Sequence, residues 1–241
     1  TAAAGVVNCK HGNRSASSKC GAADVLELLG VAIEQTPEGV AACVREAGIG
    51  FCLAPMFHPA FRFAGPTRRE LGVPTAFNLI GPMANPGRVR NLLIGVADPV
   101  FAPAMIEALR LRGVLSAWVV HGDGLDEIST ASTTDVWALR DGEISTFTID
   151  PTDYGIARSM ADDLRGGEPA ENADAVRAVL RGDAGPHRDV VVLNAAAALV
   201  VAGICADLEA GLAVAAASID DGRASATLER FVEVSQAQGG S

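Results

Sequence analysis

Three stretches between residues 92 and 121 restrict the fold more than anything else in the chain. Residues 92–96 are a short apolar run, residues 101–112 carry helical spacing, and residues 117–121 are apolar again. Two apolar strands joined by a helix are the usual route to parallel pairing, because parallel strands need a long crossover and a two-residue turn cannot supply one. The expected fold class is therefore α/β, with a mostly parallel sheet flanked by helices. Nearly half the residues are hydrophobic and only 5% are aromatic, so small side chains are available to let helices approach a sheet closely.

The rest of the chain is consistent with this. Residues 5–9 and 48–54 read as further buried strands, the first ending at a basic turn. Residues 22–29 and 36–47 read as helices, the second with Thr36 as N-cap and Pro37 at the first helical position. Residues 58–71 are expected to be helical at their C-terminal end. Residues 77–86, FNLIGPMANP, read as an ordered loop because of their Gly, Pro and Asn content. Residues 136–139 and 143–149 read as an antiparallel hairpin turning at Asp141-Gly142. Helices are expected at 172–180, 190–202, 206–219 and 224–234.

Charge narrows the function classes. The 241 residues include 19 basic and 29 acidic side chains, a net charge of −10. Such a balance argues against a general nucleic-acid binder, whose affinity rests on neutralising phosphates. It gives no global steering to an anionic substrate, so a phosphate site has to be a local basic cluster. Cys9, Cys20, Cys43, Cys52 and Cys205 show no paired spacing and read as reduced, mostly buried thiols of a cytoplasmic protein. No apolar run reaches membrane-spanning length.

Three clusters carry chemistry. The first, KHGNRSASS (residues 10–18), brings two fixed cations, a histidine and several hydroxyls to a strand-to-helix turn. Backbone amides with Lys and Arg suit a multiply charged phosphate, although a solvated basic loop has the same composition. The second, HGDGLDE (residues 121–127), ends an apolar strand. Substrates of doubly wound sheets lie beyond that end, and adjacent carboxylates there suit Mg²⁺. A polar strand exit that caps the next element would look alike. The third groups His58, Arg62, Arg68 and Arg69 around FHPAFRF. An arginine in an apolar pocket suits a carboxylate substrate, and ordinary surface arginines would fit as well.

Taken together, KHGNRSASS, GAADVLELLG (21–30), GIGFCLAPMFHPAFR (48–62), RRELGVPTAFNLIGPMANP (68–86), HGDGLDEIS (121–129), GGEPAEN (166–172) and LNAAAAL (193–199) resemble the anthranilate phosphoribosyltransferase family, in the family's order and over nearly the whole chain. The resemblance implies transfer of phosphoribosyl from phosphoribosyl pyrophosphate to the amine of anthranilate, with Mg²⁺, in a homodimer. It implies that Lys10, His11, Gly12, Asn13, Arg14, Ser15, Ala16, Ser17, Ser18 and Ala22 line the phosphoribosyl pyrophosphate. Asn13, Pro55, His58, Phe61 and Arg68 would line the anthranilate tunnel, Arg68 facing the carboxylate. Asp126 and Glu127 would hold the metal. No residue is assigned as acid, base or nucleophile.

By the same resemblance, residues 1–20 begin an α/β domain, 21–47 are helices of a small helical domain, and 48–241 complete the α/β phosphoribosyltransferase domain. The family also has a Gly-rich pyrophosphate loop, a metal-ligating Ser/Thr segment and helices upstream of KHGNR. These are not among the 241 residues, so the expectation is impaired activity for the chain as written. Three rivals are a pyrimidine nucleoside phosphorylase, a non-catalytic, nucleic-acid-binding relative, and a purely structural fragment that folds only with its missing half. Arg68 with NLIGPMANP argues against the first, and the negative charge with the Asp126-Glu127 pair against the second.

Overall fold

A computed structural model of the chain describes every residue except 16–18, 73, 74, 240 and 241, and leaves out the side chains of Arg68, Arg69 and Asn78. In chain order the elements are β1 (Asn8–Gly12), α1 (Ala22–Leu28), α2 (Pro37–Ala47), β2 (Ile49–Leu53), α3 (Ala54–Phe57), α4 (Gly65–Leu71), α5 (Ala76–Met83) and β3 (Asn91–Gly95). Then follow α6 (Ala102–Leu111), β4 (Ser116–His121), β5 (Thr134–Arg140), β6 (Glu143–Ile149), α7 (Pro169–Leu180), α8 (Pro186–Val201), α9 (Leu208–Asp220) and α10 (Arg223–Gln238). The chain forms two compact units.

One unit comprises residues 2–88, 166–178 and 224–241. Its sheet is the parallel pair β1 and β2, in register from Asn8 opposite Ile49 to Gly12 opposite Leu53. The ladder continues through Lys10, His11 and Gly12, so the strand lies three residues later than 5–9. Pairing with β2 overrides the polarity of those residues. Helix α2 starts as expected, with the Thr36 hydroxyl accepting from the Gly39 N–H at 3.2 Å and Pro37 first in the helix. Cys43, Ala42 and Val31 pack with Phe51 and Leu53 of β2 and with Phe231 and Val234 of α10 in a single core. Buried Gln35 fastens this core by donating to the carbonyls of Ala32 and Ser235, both at 2.8 Å.

Residues 77–86 differ from the expected loop. Helix α5 takes up residues 76–83, with Pro82 in its last turn. A proline there removes an N–H from a ladder that is already ending, which costs less than in a helix interior. The Gly81 carbonyl at this end, and the Ala84 carbonyl just beyond it, meet histidine side chains.

The other unit comprises residues 1, 89–165 and 179–223. Its sheet runs β3-β4-β5-β6. β3 and β4 pair in parallel, and β5 and β6 continue the sheet antiparallel. Ala117, Val119 and Val120 are almost wholly buried, so β4 reads as a continuous apolar run. Helix α6 packs on β4 and β5, and α8 packs on β3 and β4. The hairpin turn has positive φ at both central residues, Asp141 (51°) and Gly142 (87°), as a type I′ turn requires. Gly211 lets α9 lie against α8, since a Cβ there would come within 2.8 Å of the Ala196 carbonyl oxygen. Among the described residues no helix is long and apolar enough to cross a membrane.

Candidate functional site

The basic turn after β1 is shaped by its neighbours in sequence. The Asn13 side chain accepts from the Arg14 N–H at 2.8 Å. Asp24, in the first turn of α1, accepts from the backbone N–H groups of Gly21 (2.8 Å) and Ser15 (3.0 Å). These two bonds hold its carboxyl below the usual range. Gly21 is pressed against the turn, and a Cβ there would come within 2.6 Å of the Ser15 nitrogen and 2.9 Å of the Arg14 carbonyl carbon. Any larger residue at 21 would push the turn away.

The cations of this turn are placed differently. Arg14 is exposed and engaged by Glu27, by Glu34 at 3.2 Å and by Asp24 at 4.0 Å. Glu27 and Glu34 raise its pKa, the Glu27 hydrogen bond contributing most. Lys10 is exposed and has no ion-pair partner among the described residues. Lys19 pairs with Glu168 at 3.5 Å. Among the described residues of this turn, Lys10 is thus the cation without a carboxylate partner, and a phosphate reaching Arg14 has to compete with carboxylates.

Beside the turn stands an aromatic row. The His11 and His58 rings meet edge to face with centroids 5.0 Å apart. His58 stacks on Phe61 at 4.9 Å, and Phe61 meets Phe77 at 5.2 Å. His11 Nδ1 lies 3.2 Å from the Gly81 carbonyl and His58 Nε2 lies 2.9 Å from the Ala84 carbonyl. A carbonyl only accepts, so both nitrogens carry hydrogen. Nε2 of His11 is then a buried acceptor with no partner among the described residues. Burial, followed by the His58 ring, lowers the His11 pKa. Asn85 ties the end of this segment to β1, donating to the Cys9 carbonyl at 2.7 Å while accepting from Gly87 N–H at 2.9 Å.

In the other unit, β4 ends in a tight turn. Gly122 and Leu125 exchange backbone hydrogen bonds of 2.9 and 3.2 Å, with positive φ at Asp123 (48°) and Gly124 (91°). His121 Nε2 accepts from the Gly124 N–H at 3.2 Å while Nδ1 faces the Val96 carbonyl at 2.9 Å. Facing a carbonyl, Nδ1 is the donating nitrogen of this ring and Nε2 the accepting one. Asp126 and Glu127 follow, both exposed. Partial desolvation, then the Asp126 charge, push the Glu127 carboxyl above its usual range. Two like charges side by side on a fixed backbone favour a bound cation. Among the described residues no three His, Cys, Asp or Glu side chains converge into a complete metal cage. Two carboxylates suit Mg²⁺, which completes its shell with water and substrate phosphates.

Of the residues expected in the site, His11, His58 and Phe61 come together in the aromatic row. Gly12 to Ser15 form the turn, and Ala22 opens α1. Pro55 is exposed in α3, directly after β2. Ala16, Ser17 and Ser18 lie outside the described residues. The backbone of Arg68 lies in α4, and its side chain is likewise outside what is described. Sequence reasoning passed over Phe77, Asn85, Gly95 and Asn194. The signal for Phe77 and Asn85 was their place in FNLIGPMANP. Asn194 has the same kind of signal from its place in LNAAAAL, whereas Gly95 has none, because its role is contact with a distant backbone.

A family profile described as "Glycosyl transferase family, a/b domain" matches residues 1–225. Anthranilate phosphoribosyltransferase of Salinispora arenicola is 53% identical over 98% of this chain and 68% of its own length. The protein of that name from Nocardia farcinica is 52% identical over 99% of this chain and 72% of its own. Among solved structures, anthranilate phosphoribosyltransferase from Thermus thermophilus superposes with a TM-score of 0.92 at 41% identity, covering 98% of this chain and 70% of that one. The Saccharomyces cerevisiae enzyme in complex with phosphoribosyl pyrophosphate and Mg superposes at 0.88 with 29% identity, covering 98% and 68%.

Proposed function

The chain belongs to the anthranilate phosphoribosyltransferases, within the glycosyl transferase family, and from that membership we propose how its residues divide the work. The reaction is transfer of the phosphoribosyl group from phosphoribosyl pyrophosphate to the amine of anthranilate, with release of pyrophosphate, a step of tryptophan biosynthesis. The observation that carries this is identity above half over 98% of the chain to a protein of that activity.

In our reading, the turn from Lys10 to Ser18, with Ala22, binds phosphoribosyl pyrophosphate. Lys10 supplies the free charge. Asn13, Pro55, His58, Phe61 and Arg68 bind anthranilate. The stacked His58 and Phe61 rings offer the aromatic surface, and the unpartnered His11 Nε2 offers an acceptor beside it. By the family resemblance Arg68 recognises the anthranilate carboxylate, for which a guanidinium is the matching donor.

Asp126 and Glu127 hold Mg²⁺, supported by their adjacency on a fixed loop and by the metal in the yeast complex. When bound, the ion neutralises charge that develops on the leaving pyrophosphate. The chemistry otherwise needs little covalent help. The amine attacks C1 of the ribose as the bond to pyrophosphate breaks, and the protein acts by holding the two substrates in line and excluding other partners. No side chain is required as a nucleophile.

We further propose that the protein is a cytoplasmic homodimer and that residues 21–47 belong to a small helical domain, as the resemblance implies. The test of the site is Asp126→Ala with Glu127→Ala. Turnover should be lost with the circular dichroism spectrum unchanged. Retained turnover with its normal Mg²⁺ dependence would remove these residues from the site.

A further inference from the structure

Helix α8 is almost wholly Ala, Val and Leu from Val190 to Val201, and Asn194 interrupts it. Asparagine is a poor residue for a helix interior because its amide competes with the backbone. Here the amide bridges its own helix to the Ile128 backbone. Its Oδ1 accepts from the Ile128 N–H at 3.0 Å, and its Nδ2 donates to the Ile128 carbonyl at 2.8 Å and to the Val190 carbonyl at 2.9 Å. Ile128 is fully buried and directly follows Asp126 and Glu127. Both polar groups of its peptide backbone are therefore satisfied by one side chain, 66 residues away in sequence.

The same segment is confined from below. At Gly95, the last residue of β3, a Cβ would run into the Asp126 carbonyl and lie within 2.9 Å of the Asp126 Cα. At Gly122 a Cβ would come within 2.6 Å of the Glu127 carbonyl oxygen and 2.7 Å of the Ser129 Cβ. Beyond Ile128, Ser129 N–H donates to Thr134 Oγ1 at 2.9 Å, and the Ser129 hydroxyl accepts from Ala131 and Ser132. The two glycines fix how close the carboxylate segment lies to the sheet. Among the described residues, the side chain that hydrogen-bonds the backbone N–H and carbonyl of Ile128, the residue after Glu127, is Asn194.

We infer that Asn194 is a positioning residue for the metal carboxylates, setting the direction in which Asp126 and Glu127 leave the sheet. The inference rests on the reading of Asp126 and Glu127 as the Mg²⁺ ligands. Groups that orient metal ligands, without touching the metal, commonly change its affinity by about 10- to 100-fold when removed. A filler role in the core would instead alter thermal stability and leave the metal alone.

The test uses the full-length protein with Mn²⁺ as the probe, its binding in the presence of phosphoribosyl pyrophosphate followed by electron paramagnetic resonance. Asn194→Asp is isosteric and keeps the acceptor for the Ile128 N–H, but faces the Ile128 and Val190 carbonyls with oxygen in place of a donor. Its added negative charge would by itself tighten cation binding. Displacement of the carboxylate segment predicts the opposite, Mn²⁺ binding weaker by about tenfold or more. The KM for anthranilate should stay within about twofold, and Asn194→Ala should behave alike. Wild-type or tighter Mn²⁺ affinity in Asn194→Asp overturns the inference, as does loss of the fold in both variants. Asp126→Ala with Glu127→Ala is measured alongside. Unchanged Mn²⁺ binding in that variant removes the underlying metal reading, a result distinct from failure at Asn194.

Discussion

His11 and His58 stand edge to face, 5.0 Å between ring centroids, and each gives one ring N–H to a carbonyl at the end of helix α5. The pair ties β1 and the segment after β2 to the last turn of α5. It also sets a pH dependence. Burial and the neighbouring ring hold the His11 pKa below its usual value near 6.5. A depressed histidine pKa means that the unfolded chain takes up the proton more readily than the folded one. Stability is therefore full above pH ~6.5 and declines as the pH falls through and below that value. The thermal midpoint should drop between pH 7.5 and 5.5, and the drop should be smaller in His11→Gln. Equal drops in both proteins would show that His11 is not the group responsible.

Cys9 and Cys52 lie on adjacent strands with sulfurs 3.6 Å apart. Hydrogen bonding from Cys52 pulls the Cys9 thiol down to about 7, while the same contact and burial push Cys52 up. A thiol with that pKa is largely thiolate at pH 7.5, and thiolate is the reactive form. Iodoacetamide at pH 7.5 should label Cys9 ahead of the buried Cys43, Cys52 and Cys205. Cys52→Ala should slow that labelling. Peptide mass spectrometry reads the order, and preferential labelling of Cys52 would reverse the assignment.

The stretch 77–86 shows where sequence reading runs short. Gly81, Pro82, Asn85 and Pro86 are loop signals, yet residues 76–83 are helical. The breakers mark the end of the helix and do not forbid it. The carbonyls of Gly81, near its end, and Ala84, just beyond it, are what the two histidines use. The β3–α6–β4 alternation, the Asp141-Gly142 turn and the Thr36 cap were legible because each depends on residues near in sequence. Gly95 under Asp126 and Asn194 on Ile128 were not legible, because those partners are set by the tertiary fold. Lys10, His58 and Asp126 could be picked out by residue type. That Arg14 is occupied by carboxylates could not, since Glu27 and Glu34 read only as helix-surface charges.

Arg68→Ala should raise the apparent KM for anthranilate far more than that for phosphoribosyl pyrophosphate. Loss of a hydrogen bond to a charged group costs about 1.5–3 kcal/mol, or roughly 10- to 100-fold in KM. Steady-state kinetics with each substrate varied in turn will show the split. Equal changes in both KM values would make the residue structural.

Gly95→Ala should be destabilising by about 1–3 kcal/mol, the usual range for forcing atoms into a packed site. The added methyl meets backbone at Asp126, which has less freedom to yield than a flexible side chain would. Chemical denaturation gives the number. Wild-type stability together with wild-type Mg²⁺ dependence would mean that the segment moves aside at no cost.

The most direct measurement is the loss of anthranilate fluorescence catalysed by the full-length protein. With phosphoribosyl pyrophosphate and Mg²⁺ present, anthranilate should be consumed and pyrophosphate released in equal amounts, and omission of either substrate or chelation of the metal should stop both. If anthranilate is left untouched while a pyrimidine nucleoside is cleaved by phosphate, the assignment of the reaction is contradicted.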